Sequence, residues 1–264
     1  MERNPILTEE INFTYSKGKY DFYTKSVAKL VAIAFVLLQS CCETLADFAR
    51  LVSCLWIVNH NANKLEGISS ISSSVYDNCF CKAWRNMKDC ICRYCYSHNQ
   101  QSYQTGLKEH SILNGIILRN ILIPVKAFKM GLKIIYKYLR IESFGDVANI
   151  VQARNYIRII KAFPQKRCAI WTKNYRIWLK AFEIEGKPNN TTFVVSSPIL
   201  NKPIELTEEE KTLVDHVFTV YTKEFAKKNG IIINCGGRKC MECIKAKKAC
   251  YYRNTEFYIN ELKK

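Results

Sequence analysis

Nine of the thirteen cysteines in this 264-residue chain fall in two short stretches. The first reads NCFCKAWRNMKDCICRYCYSH and holds Cys79, Cys81, Cys90, Cys92 and Cys95. Two residues separate Cys92 from Cys95, a spacing that turns both sulfurs toward one metal from a tight loop, and Cys81 can supply a third ligand. Three protein ligands leave one coordination position open, as chemistry at a metal requires, whereas a structural site is usually closed by four. The second stretch reads NCGGRKCMECIKAKKACYY, and its Cys235, Cys240, Cys243 and Cys250 can close a four-thiolate site by themselves. Its first three spacings match the C-x4-C-x2-C arrangement of plant-type ferredoxins, although zinc accepts four cysteines as readily. Gly236 and Gly237 let the backbone turn between ligands. Arg238, Lys239, Lys245, Lys247 and Lys248 would offset the charge of the thiolates or contact nucleic acid.

Compartment decides between metal and disulfides. Met1 to Thr24 is polar with no signal-peptide pattern, and the longest apolar run, Leu30 to Leu38, falls well short of the roughly 20 residues that span a bilayer. The expectation is a cytoplasmic protein without a transmembrane segment, in which reduced, clustered thiols are ligands. Cys41, Cys42 and Cys54 lie among Leu, Ala and Phe and read as small buried hydrophobes. His98 and His110 read as surface or capping residues, and Trp171 and Trp178 as packing residues.

The balance of 40 Lys+Arg against 23 Asp+Glu gives a net charge of +17, which suits anionic partners such as nucleic acid. The lysines are spread along the chain, so solvated surface explains them equally well. There is no Gly-rich phosphate loop, HExxH or serine nucleophile elbow to support a hydrolase or NTPase.

These groups need elements to position them. Ser26 to Val58 has a helical pattern, and Ile68 to Ser72 reads as a short strand before the cysteine-rich loop and a helix from about Gln101 to Leu122. Apolar strands with polar ends recur at Tyr138 to Asp146, Cys168 to Asn174, Thr192 to Pro198 and His216 to Thr222, with helices in the first two gaps and after the last strand. The alternation predicts an α/β fold with a parallel sheet, curled into a partial (β/α) barrel. The chain divides into an N-terminal helical extension (1–58), an α/β domain with the cysteine loop (59–230) and a cysteine-rich C-terminal tail (231–264). Sites in such sheets lie at strand C-terminal ends, where Glu142, Ser143, Gly145, Asp146 and Lys173 fall.

From Asn59 onward the chain resembles the gene product 88 family of phage and gut-bacterial proteins, at NANKLEGISSIS, CRYCYSH, RIESFGD, AIWTKN, VVSSPILNKP, HVFTVYT and INCGGRKCMEC, in the family's order. The resemblance selects Cys81, Cys92 and Cys95 as one ligand set and leaves Cys79 and Cys90 as extras. Where the family ends its C-terminal group C-x2-C this chain has Ala246; reading AKKA as an insertion brings Cys250 into the fourth position. The layout is also similar to that of radical S-adenosylmethionine enzymes, whose three cysteines follow the first barrel strand and end in Cys-x-aromatic-Cys, as at Tyr94, though their usual first spacing is absent here. That similarity implies one or two iron-sulfur clusters, 4Fe-4S in type, rather than zinc. It also implies S-adenosylmethionine at the open iron, with Glu142 and Asp146 receiving its ammonium and Gly145 allowing close approach. The alternative is a non-enzymatic protein in which both groups hold zinc and the basic surface contacts nucleic acid.

Overall fold

Seven strands pair strictly in chain order, β1 to β7. β2 (Ile68–Ile71), β3 (Tyr138–Ile141), β4 (Arg167–Thr172), β5 (Thr191–Ser196), β6 (His216–Tyr221) and β7 (Tyr258–Leu262) are parallel. The short β1 (Val58–Asn59) runs antiparallel at one edge. β7 does not pair with β1, so the sheet stays open. The computed structural model describes residues 33–34, 36–38, 42–236, 239–248 and 250–263. The start of the helical pattern (26–32), residues 35 and 39–41 within it, Cys41 among them, and Gly237 and Arg238 lie outside the described residues.

A parallel sheet in sequential order, joined by right-handed crossovers, carries its crossover helices on one face. That face packs Ile71, Leu139, Ile141, Ile170, Phe193, Val195 and Val217 against α4 (Thr105–Asn120), α5 (Val125–Gly131), α6 (Ile150–Ala162) and α7 (Tyr175–Glu185). Strand residues of opposite parity, Ile68, Ala169, Val194, Phe218 and Ile259, form a second apolar layer on the other face. There the cover is the C-terminal segment, through Ile244, Cys250 and Tyr251. Burial on both faces leaves every residue of TTFVVS buried, its Thr and Ser included.

The expected strand positions are all occupied, but β3 stops at Ile141 because Glu142 adopts a left-handed φ of 56°, which ends an extended strand. Val58 lies in β1 and not in a helix. The helical extension is represented by residues 33–34 and 36–38 and by α1 (Leu45–Val52), whose start is closed by a Thr44–Asp47 capping box. α1 lies against α5 so closely that a Cβ on Gly131 would meet the Ala49 carbonyl at 2.3 Å. The C-terminal tail contributes β7, so its residues are part of the sheet. The His216 ring nitrogens lie 2.8 Å from the Glu256 carbonyl and 2.9 Å from that of Tyr252, holding the segment before β7. No helix among the described residues is long and apolar enough to cross a membrane.

Candidate functional site

Beyond the C-terminal end of β2, Asn78 caps α2 (Cys79–Arg85), its Oδ1 accepting from the amides of Phe80 at 3.0 Å and Cys81 at 3.3 Å. A 3-10 turn, Ile91–Tyr94, follows, then α3 (Tyr96–Tyr103). The Ile91 amide donates to the Pro198 carbonyl at 2.8 Å and Cys90 bridges Ile199. The loop therefore crosses from the end of β2 to the segment after β5, passing over the C-terminal edge of the sheet. Cys79 is exposed, Cys90 is buried, and Cys81, Cys92 and Cys95 are half-buried.

The electrostatics of this loop converge. Burial pushes the Cys81 thiol well up, and the charges of Asp146, Glu142, Cys92 and Cys95 push in the same direction. Hydrogen bonding to Cys90 and then burial raise Cys92, opposed by the Lys173 ammonium. The same side-chain contact lowers Cys90, as does, to a smaller extent, the Cys92 amide, which donates to the Cys90 sulfur at 3.3 Å. Burial alone would depress Lys173, yet Cys92, Asp146, Cys95 and Tyr96 around it hold its pKa above the ordinary value. The structure thus brings Cys81, Cys92, Cys95, Asp146 and Lys173 within electrostatic reach of one another.

The ESFGD segment makes a buried polar knot beneath the loop. Glu142 accepts from Ser73 Oγ at 2.7 Å, the Ser73 amide at 3.0 Å, Tyr156 OH at 2.6 Å and Gln152 Nε2 at 3.1 Å. Burial, opposed by the bonds from Tyr156 and Ser73, pushes its carboxyl up to about 7. Asp146 accepts from Thr172 Oγ1 at 2.5 Å and from the amides of Lys173 at 2.7 Å and Val147 at 2.8 Å; burial raises it despite these donors. Ser143 bonds through its hydroxyl to Ser70 and Ser72 and through its carbonyl to Tyr96 OH at 2.6 Å. A Cβ on Gly145 would meet the Ser73 carbonyl at 2.3 Å. The close approach that this glycine permits is to the β2 end, and both carboxylates are already bonded to protein donors.

The C-terminal group sits elsewhere, on the face of the sheet away from the crossover helices. Cys235 bridges Glu261 of β7, and the amide of Cys240, the first residue of the short helix Cys240–Lys245, donates to the Lys64 carbonyl at 2.8 Å. Cys235, Cys240, Cys243 and Cys250 line one cavity of about 30 Å³ with Lys64 and Tyr251. Burial raises Cys235 and Cys240 and pushes Cys250 up to about 12, with Lys64 opposing for the first two and Arg140 for the last two. Lys64 is itself hydrogen-bonded to Glu261 at 2.9 Å. Lys245 to Lys248 are exposed, with Lys247 at a φ of 52°.

The chemistry of this donor set, four thiols around one cavity with cations beside it, fits a thiophilic metal. The sulfurs share the cavity without closing on a common point: among the described residues no three His, Cys, Asp or Glu side chains form a ready-made metal cage. Cys42, Cys54 and Cys168 are buried in the apolar core. His98 stacks on Tyr76 and His110 on Trp56, while Trp178 is fully buried.

Arg140 was not singled out from the sequence. It lies beside the C-terminal group, opposing the rise of Cys240 and Cys250, with its guanidinium 4.1 Å from the centre of the Trp171 ring and its Nε buried without a partner. Its signal was the alternation in YLRI, where Leu139 and Ile141 face the helices and Arg140 must face the other way. Tyr156, Gln152 and Ser73, which hold Glu142, lie far from it in sequence or inside a helix and carry no motif. Comparison of the chain with protein-family models, characterised proteins and solved structures returns no match.

Proposed function

We propose that this chain is an iron-sulfur metalloprotein with two centres, of phage or mobile-element type, and that it acts as a radical S-adenosylmethionine-like enzyme. A 4Fe-4S cluster on Cys81, Cys92 and Cys95 would have an open iron for the cofactor, and Cys235, Cys240, Cys243 and Cys250 would hold the second centre. The observation that carries the reading is the cavity lined by four cysteines from three segments of the chain, since buried thiolates assemble around a cation. The open, sequentially paired sheet with its cysteine loop after the first parallel strand supports the enzyme part.

A cluster with an open iron supplies electrons to a bound cofactor. The chain's own residues prepare the place. Lys173 offsets thiolate charge beside Cys92 and Cys95, Asp146 fixes the Lys173 backbone, and the Ile91–Pro198 bond holds the loop over the sheet edge.

A second reading puts zinc in the C-terminal group, favoured by a cavity of about 30 Å³ that suits a single ion better than a cube of iron and sulfide. Anaerobic purification followed by iron, zinc and acid-labile sulfide analysis separates the two. We expect a brown protein whose iron falls in Cys92→Ser and Cys95→Ser. A colourless protein with zinc alone overturns the iron-sulfur reading, and a protein with neither metal overturns both.

A further inference from the structure

The N-terminal ends of β3, β4 and β5 open onto a cleft of about 680 Å³, at the opposite end of the sheet from the cysteine loop. Lys137, Lys166, Arg167, Lys247 and Arg253 line it, and no carboxylate does. Arg253 is committed to structure, donating to the Thr191 and Pro188 carbonyls at 2.9 Å and lying 3.8 Å from Asp215. The other four make no ion pair among the described residues. Cations gathered round one concavity without counter-charge raise the local potential and draw in an anion.

One further observation narrows the ligand. The half-exposed Tyr252 ring carries the Arg167 guanidinium 4.8 Å from its centre, a planar cationic and aromatic pair of the kind on which bases stack. We infer that this cleft binds single-stranded nucleic acid, with Lys137, Lys166 and Lys247 on phosphates and Tyr252 beneath a base. A lone phosphate would leave most of the volume empty, and a duplex hides the base faces that an aromatic platform reads. The site is separate from both cysteine groups, although Tyr251 also borders the four-thiol cavity.

The test uses the full chain and fluorescence anisotropy with a labelled oligonucleotide of roughly 20 nucleotides, as a single strand and as a duplex. Two double variants remove the same charge: Lys137→Glu with Lys247→Glu in the cleft, and Lys126→Glu with Lys129→Glu on exposed positions of α5. We expect the single strand to bind more tightly than the duplex, with affinity falling as salt rises. The cleft variant should weaken binding at least about tenfold and reduce the log–log salt slope by about 1 per lost contact. The α5 variant should bind like the unaltered protein, and Tyr252→Leu should weaken single-strand binding with little change in salt slope. Equal losses in the two double variants would reduce the effect to diffuse surface charge. Competition by inorganic phosphate or AMP as effective as by the oligonucleotide would make this a small-anion site. Either result, tighter duplex binding, or no binding at low salt overturns the inference.

Discussion

The mid-chain cysteines ride on α2 and a 3-10 turn, neither of which has a buried residue within its helical span. The C-terminal ones are set in an apolar layer with Ile244, Tyr251 and Ile259, and Cys250 is only 8% exposed. The loop is held at its crossing by the Ile91–Pro198 bond and the Cys90–Ile199 bridge, while the C-terminal group is packed against the sheet and followed by its last strand. One residue type therefore serves two mechanical roles. A site built into the core couples its metal to folding, whereas a site on a tethered loop can open to admit a ligand at little cost to the rest of the protein.

The largest effect should come from breaking the core-embedded site. Burial, opposed by Arg140, pushes Cys250 up to about 12, so metal binding there must release a proton. Cys250→Ser removes one thiol of the proposed site and leaves a hydroxyl in an apolar layer. We expect loss of the C-terminal metal, retention of the loop metal, and a stability loss of about 5 kcal/mol or more in denaturant unfolding. Cys92→Ser should lose the loop metal at a cost of no more than about 2 kcal/mol. Equal losses would show that the two groups are equally structural, and unchanged metal content in Cys250→Ser would show that Cys250 is not a ligand.

The strands of this sheet were legible because TTFVVS and HVFTVY are apolar on both faces, as buried parallel strands must be. β7 was not, since YINEL carries polar residues at an open edge, and β1 is too short to show a period. The cysteine groups were visible as spacing. The role of Glu142 was not: an acidic residue at a strand end looks the same whether it awaits a ligand or, as here, accepts four bonds from Ser73, Gln152 and Tyr156. Long-range partners of this kind leave no local pattern. The cleft at the other end of the sheet was hidden for the same reason: Lys137 and Arg167 meet through the parallel register of β3 and β4, and Lys247 arrives from the C-terminal segment.

The polar knot offers a smaller test. Glu142 is raised from 4.5 to about 7 in the folded protein, so the native state holds this proton more tightly than the unfolded chain. Its contribution to stability is complete below pH 4.5 and is lost as pH rises through about 7, on the order of 3 kcal/mol in all. Glu142→Gln should flatten the stability profile across that window, whatever its effect on absolute stability. A variant profile as steep as the original would assign the slope to other groups. Because the knot underlies the loop, its pH dependence should appear in the loop cysteines and leave the C-terminal group unchanged.

The smallest effect probes the tether of the loop. Lys263, just beyond β7, places its ammonium 4.6 Å above the Tyr94 ring, linking the end of the sheet to the cysteine turn. Both side chains are exposed, so the contact is worth about 0.5 kcal/mol. Lys263→Ala should leave global unfolding nearly unchanged. If the loop opens independently of the core, backbone amides of residues 79–95 should exchange with solvent roughly twofold faster, as 0.5 kcal/mol implies, while those of residues 239–248 keep their protection. Tyr94→Leu, which removes the other partner, should reproduce the pattern. Faster exchange in both segments would mean that loop and core open as one unit, and the mechanical distinction between the two cysteine groups would fall.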